Sequence, residues 1–217
     1  MRKTVDYERC VFINCPFDDK YTPIFEAIVF VVIVCVFRPL CARVKLDSSE
    51  IRLNKIMDLI GSSRYSIHDL SRVELDEVNA LPRFNMPLEL GADLGCKRFS
   101  PSRKNKSILI FDSQSYRFQK YISDLGGQDV ANHSNDPALA IVSIRNWLRA
   151  ESGRRDFPGP SALNFRYAKF KRDLPEVCVK LDVQPAEMTF VDFCQAVAAW
   201  LEDEKGFSGI LVRDAPQ

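Results

Sequence analysis

The chain of 217 residues carries 30 Lys and Arg against 29 Asp and Glu, a formal charge of +1, so no net field draws it toward nucleic acid or an anionic membrane. With 46% hydrophobic and 27% charged residues it has an ordinary globular balance, long enough for one large domain or a domain with an appendage. Seven cysteines without a Cys-x-x-Cys pair, and two well-separated histidines, His68 and His133, argue against a disulfide framework and against a zinc site. The reading is a reducing cytoplasm.

The charged residues Met1 to Glu8 are not followed by an apolar segment of signal-peptide form. Cys10 to Cys15 reads as a first strand that stops at Pro16. After the loop Pro16 to Tyr21, Thr22-Pro23 offers an N-cap and a first-turn proline for a helix reaching about Phe37. Its valines and isoleucines would equally suit a strand, but its length and marked start favour a helix. That helix is apolar nearly all round and should be buried on most faces. Its most apolar run, Ile28 to Phe37, has ten residues, whereas a membrane span needs about 20. Arg38-Pro39 breaks the helix, and Leu40 to Val44 makes a second strand. The cap-like cluster Asp47 to Glu50 opens an amphipathic helix with Ile51, Ile56, Leu59 and Ile60 on its stripe. Tyr65 to Leu70 is a third strand, and the acidic stretch from Ser71 to Arg83, with Glu74, Asp76 and Glu77, suits a loop over a site.

From Leu81 to Phe99 the chain passes two prolines, Pro82 and Pro87, and enters a helix carrying Leu88, Leu90, Ala92 and Leu94. Both prolines suit positions at or before a helix start, where no backbone N–H is required. Glu89 falls in the first turn, near the positive end of the helix dipole. An acid there is either a solvated first-turn carboxylate or a buried catalytic one. Lys106 to Phe111 is a fourth strand. The alternation of strand and helix up to Asp112 predicts an α/β fold: a Rossmann-like, mainly parallel sheet of four or five strands over residues 9–113. Ligands of such sheets bind beyond the carboxyl ends of the strands, which here carry Asn14, Cys15 and Pro16, then Asp69, Leu70 and Ser71, then Asp112 and Ser113. Neither G-x-G-x-x-G nor a Walker loop is present. Residues 114–217 read as a mostly helical region, with helices over Tyr116 to Leu125, Pro137 to Ala150 and Thr189 to Glu204. The basic and aromatic stretch Arg166 to Arg172 is flanked by acids and reads as a solvated helix face, not a nucleic-acid surface.

Three segments in order, Phe12-Ile13-Asn14-Cys15-Pro16-Phe17, Ile67-His68-Asp69-Leu70-Ser71, and Met86-Pro87-Leu88-Glu89-Leu90-Gly91 with Gly95-Cys96-Lys97, carry a resemblance. Over roughly the first half of the chain they resemble the nucleoside 2-deoxyribosyltransferase-like and TIR-like N-glycosidase folds. The resemblance implies a flavodoxin-like domain over residues 1–113 and a glutamate, Glu89, that attacks or stabilises the anomeric carbon of a ribosyl–base bond. Such cleavage passes through an oxocarbenium-like state and needs a carboxylate beneath that carbon and a second group on the ribose hydroxyls. Glu89 suits the first role and Asp69 the second, although Asp69 reads equally as a strand-end acid capping a nearby backbone N–H. Asn14, Cys15, Pro16, Phe17, Arg83 and Asn85 are the candidate substrate-binding residues, and Phe17, Tyr21 and Phe84 are candidates for stacking on a base, each also reading as core. His68 alternates with Asp69 and so faces the other side of its strand. Where the transferases carry an Asp-x-Gly-Thr-like segment ahead of the glutamate, this chain has Pro-Arg-Phe-Asn-Met-Pro, which disfavours transfer and leaves cleavage of NAD or a related nucleotide. The nucleotide is then the substrate, with no metal and no further cofactor. The expected partners are other copies of the chain or a subunit of a bacterial defence complex. A non-catalytic nucleotide-sensing or partner-binding module on the same fold is the rival reading.

Overall fold

In the computed structural model the described residues are 6–43, 49–73 and 83–204. Val44, the cap candidates Asp47 and Ser48, the acidic Glu74, Asp76 and Glu77, and Pro82 lie outside them. The chain forms a five-stranded, wholly parallel sheet flanked by helices, in strand order β2-β1-β3-β4-β5. The strands are β1 (Cys10–Asn14), β2 (Arg38–Leu40), β3 (Tyr65–Asp69), β4 (Ser107–Asp112) and β5 (Val130–Asn132). The helices are α1 (Thr22–Val34), α2 (Arg52–Gly61), α3 (Asn85–Phe99), α4 (Pro137–Ser152), α5 (Pro160–Lys180) and α6 (Phe190–Asp203). This flavodoxin-like order reverses direction between β1 and β3, so the crossovers leaving those strands diverge and open a crevice at their carboxyl ends.

Side-chain alternation assigns the two faces. Val11, Ile13, Tyr65, Ile67, Leu109 and Phe111 join a core with α1, α4, α5 and α6. Phe12 packs with Ile56 and Ile60 of α2, and Ile110 packs with Met86 and Leu90 of α3. Helix α1 is buried on all sides, from Ile24 through Val34 with Glu26 alone half-exposed, because the sheet lies beneath it and α4, α5 and α6 cover the rest. No described helix is long and apolar enough to cross a membrane.

Several expected boundaries move for identifiable reasons. β2 starts at Arg38, earlier than the breaker Arg38-Pro39 implied; it is an edge strand, where a proline without N–H costs no ladder bond on its open side. The helix expected over Tyr116 to Leu125 is two 3₁₀ turns, Arg117–Lys120 and Ser123–Leu125, because Arg117 and Tyr121 are bonded to the ends of β3 and β4. The sheet also gains β5 from beyond residue 113. That strand has three half-buried residues and gives no alternating pattern to read. By contrast α4, with Asp136 capping Ala138 N–H and Gly153 at its C-terminal end, and α6, with a Thr189/Asp192 capping box, carry full end signals and stand where the sequence placed them.

The exit from α1 is strained. Val36 adopts φ 64°, with its N–H on the Ile33 carbonyl and that of Phe37 on the Val32 carbonyl, a helix-ending pattern that favours glycine at this position. A β-branched residue held there costs about 1–2 kcal/mol. Val36→Gly should therefore raise unfolding stability by about 1 kcal/mol, or roughly 2–4 °C in melting temperature for a chain of this size. A melting curve unchanged or shifted down would show that the valine side chain contributes more by packing than its backbone costs.

Candidate functional site

At the crevice between β1 and β3, alternation sends neighbouring strand-end residues to opposite faces. Asn14 and His68 sit level in the ladder and both point toward α3. Asp69 points toward α1. On the α3 side Asn14 Nδ2 donates to Nδ1 of His68 (2.9 Å) and to the Met86 carbonyl in the first turn of α3 (3.0 Å). With Nδ1 thus an acceptor, the hydrogen-bond pattern assigns the His68 hydrogen to Nε2, which donates to Asp93 Oδ2 at 3.0 Å. The other Asp93 oxygen pairs with Lys106 Nζ at 3.1 Å, as an ion pair off the hydrogen-bonding axis. Lys106 also donates to the Ile60 carbonyl (2.8 Å) and to that of Ser63, closing the end of α2. All four side chains in this chain of contacts are buried. Burial works to raise the Asp93 carboxyl, but the His68 hydrogen bond and the Lys106 charge outweigh it and hold the group below its ordinary range.

On the α1 side Asp69 is fully enclosed. Its Oδ2 accepts from Tyr21 Oη (2.5 Å) and His133 Nε2 (2.8 Å), and its Oδ1 accepts from the Ser71 N–H (2.8 Å). Nδ1 of His133 accepts from the Asn135 N–H at 3.0 Å, which fixes that ring as well. Burial is opposed by these bonds, led by His133, and the Asp69 carboxyl is held below its ordinary range. Asp112 is likewise occupied, by Arg117 (2.7 and 2.9 Å), Tyr121 Oη (2.9 Å) and the Ser113 N–H (2.6 Å). The strand-end acids thus fasten the loops of the carboxyl edge to the sheet.

Glu89 is different. Helix α3 begins at Asn85, so Glu89 lies in its second turn, past the dipole-stabilised first turn expected from sequence. The buried residues of α3 are Met86, Glu89, Leu90 and Asp93, one stripe at helical spacing. Glu89 is only 7% exposed, and no described residue hydrogen-bonds its carboxyl. Burial pushes its pKa up to about 7, with the charge of Arg52 at the start of α2 opposing. The Asp69 and Glu89 charges both reach the thiol of Cys15, which burial and those charges push well above the ordinary thiol value, so Cys15 is inert packing between them. Compared with protein-family models, curated proteins and solved structures, the chain finds no match.

The remaining candidates divide by exposure. Pro16 is buried, and Phe17 is half-buried with the Arg43 guanidinium 4.4 Å from its ring centroid and Phe25 edge-on at 5.5 Å. Tyr21 is committed to Asp69, so neither ring offers an open face like that of Phe84, which is exposed at the mouth of α3. Arg83 and Asn85 are exposed, Arg83 reaching Asp18 of the β1–α1 loop at 3.4 Å. Sequence reasoning passed over His133, Asp93 and Lys106. Asp93 had a readable signal, an acid four residues after Glu89 on the stripe of a helix that must pack on a sheet. Among the described residues no group of three or more His, Cys, Asp or Glu is placed to hold a metal ion.

The acids make opposite demands on pH. Asp69 and Asp93, held low, contribute stability at neutral pH that is lost as pH falls through and below 3.8. Glu89, raised from 4.5 to about 7, keeps its proton longer folded than unfolded, so stability declines as pH rises across that window. The full penalty above the window is about 3 kcal/mol. Glu89→Gln should be more stable than the parent by roughly that amount at pH 8 and indistinguishable from it near pH 4. Urea unfolding at the two pH values checks this, and equal stability at pH 8 would mean that the carboxylate is solvated.

Proposed function

We propose that the protein is an N-glycosidase-like hydrolase that cleaves the ribosyl–base bond of NAD or a related nucleotide, with Glu89 as the carboxylate facing the anomeric carbon. The observation that carries this reading is the buried Glu89 carboxyl beside the β1/β3 crevice, which no described residue hydrogen-bonds, whereas the strand-end acids Asp69 and Asp112 are bonded. A carboxylate that no described residue hydrogen-bonds, where burial penalises its charge, weakens the fold. It is suited to a positive charge that appears only when a ligand reacts, and the oxocarbenium-like state of base departure supplies one. Asp69 is not free to bind ribose, since both its oxygens are taken. In this reading the exposed Asn85 and Arg83 at the start of α3 hold ribose or phosphate oxygens, and Phe84 offers its ring to the base. Asn14 acts behind them, by tethering Met86.

Incubation of the protein with NAD and a panel of nucleosides and nucleotides, followed by resolution of released bases, tests the reading. Glu89→Gln should lower base release at least a hundredfold, since a group of this kind supplies about 3 kcal/mol, and should leave ligand affinity within a few-fold. In the parent kcat/KM should rise with pH to a plateau above about 7, as Glu89 ionises. Turnover that survives the substitution removes Glu89 from the chemistry. The occupied state of Asp69 favours the second reading, a nucleotide-sensing module, and saturable binding without base release in the same assay would select it. Assembly into a homo-oligomer or a defence complex belongs to the same proposal and rests on the family resemblance. Mass measurement in solution should then show a dimer or larger, and a monomer with full activity would remove that part.

A further inference from the structure

The buried polar chain beneath α3, of which only the Asn14 tether entered the reading above, touches no reacting group and occupies a place where apolar side chains would pack at less risk. Its contacts bracket Glu89. Three residues before it, the Met86 carbonyl is held by Asn14; four residues after it, Asp93 is held by His68 and Lys106. The two anchors lie about 10 Å apart along the helix, on the stripe that includes Glu89. Their far ends are fixed in turn. Asn14 and His68 are paired in adjacent strands, and Lys106 leads into β4 while closing the last carbonyls of α2. The three ammonium hydrogens of Lys106 thus have three oxygens to face, from Ile60, Ser63 and Asp93. Sliding or rolling α3 would break both anchors, whereas a purely apolar contact would permit it, because apolar packing has no direction.

We propose that Asn14, His68, Asp93 and Lys106 are positioning residues that set the depth and rotation of α3 and so keep the Glu89 carboxyl out of water. His68 is the central member, because its two ring nitrogens join the anchors: one accepts from Asn14, the other donates to Asp93. A side chain with a single hydrogen-bonding end cannot serve both. The role of the carboxyl itself rests on the reading of Glu89 given above, but its placement does not.

The groups whose charges bear on Glu89 are Arg52 from α2 and the Cys15 thiol after β1, with Asp93 one turn along its own helix. Neither His68→Gln nor Asn14→Ala replaces any of these groups, and only His68→Gln touches a bond that holds the Asp93 carboxyl low. Carbon-13 NMR of the glutamate-labelled protein, with the Glu89 signal identified by its loss in Glu89→Gln, reads the titration midpoint without any substrate. The parent midpoint is expected near 7. Both variants should lower it by about one unit or more, as α3 loosens and water reaches the carboxyl. Trp147→Phe, which deletes the Trp147–Ser107 bond of 3.0 Å between α4 and β4 without touching α3, should leave it in place, separating positioning from general loss of stability. A midpoint within about 0.3 units of the parent in a folded variant overturns the proposal. Asn14→Ala creates no unpaired charge and decides the question if His68→Gln does not fold. Where the parent releases base, His68→Gln should cut kcat about tenfold or more with KM within about twofold. A shifted midpoint without turnover in the parent would sink the hydrolase reading and leave the positioning role standing; turnover with an unmoved midpoint would do the reverse.

Discussion

A parallel sheet covered on both faces must satisfy its strand-end polar groups from within, and in this protein the carboxyl edge does so with polar side chains. Asp69 gathers Tyr21 from the start of α1, the Ser71 N–H and His133 from the β5–α4 connection. Asp112 gathers Arg117 and Tyr121, which also bond the Leu70 carbonyl at 2.9 and 3.3 Å. Asn14 and His68 do the same work toward α3. Tyr21, Ser71, Arg117, Tyr121 and His133 are therefore each set by a directional contact to a strand end, and an apolar edge would leave these segments free to slide. Breaking one partner of such a buried charged pair typically costs about 3–5 kcal/mol, whereas solvent screens an exposed pair such as Lys180–Asp203.

Against that background the isolation of Glu89 has a physical meaning. Neighbouring acids of similar burial are paired and hold their protons weakly; Glu89, without a hydrogen bond among the described residues, holds its proton up to about neutrality. The same helix carries both kinds, with Asp93 fastened to His68 and Lys106 and Glu89 one turn away left open. Stabilising the fold alone would favour an apolar residue at position 89, since Met86 and Leu90 already pack on that stripe. A carboxyl retained there sets a cost in stability against a capacity to meet positive charge.

The parallel sheet was legible because strand and helix alternate with punctuation at each change; α4 and α6 were legible from their caps and stripes, and α1 from its length and first-turn proline, although Thr22 is its first helical residue and not the N-cap expected. The segment containing Glu89 was legible as a helix preceded by prolines, but its depth was not. Burial depends on how α3 is tilted onto the sheet, which Asn14, His68 and Lys106 decide from positions 75, 21 and 17 residues away in sequence. The partnership of Asp69 was hidden for the same reason. His133 lies 64 residues on, behind a three-residue strand with no periodicity of its own. Local pattern records what a residue does to its own element, and pairings across a sheet leave no trace in it.

The region after residue 113 differs in sequence character from what precedes it, yet the core runs across that point. Helix α1 buries apolar side chains around its whole circumference, and a sheet can cover only one side of a helix. The rest is covered by Ile141, Ile144 and Leu148 of α4, by Phe170 and Leu174 of α5, and by Phe193, Val197 and Trp200 of α6. Phe30 lies at the centre of this packing, 5.4 Å from the ring of Phe170 and 6.1 Å from that of Trp200. The loop leading into α1 carries Tyr21, whose hydroxyl fastens Asp69, so the packing of α1 and the hydrogen-bonding of the carboxyl edge meet within one turn of chain. The helices of the second half thereby hold α1 in place, α1 holds Tyr21 against the sheet, and the order of the crevice depends on residues far from it in sequence.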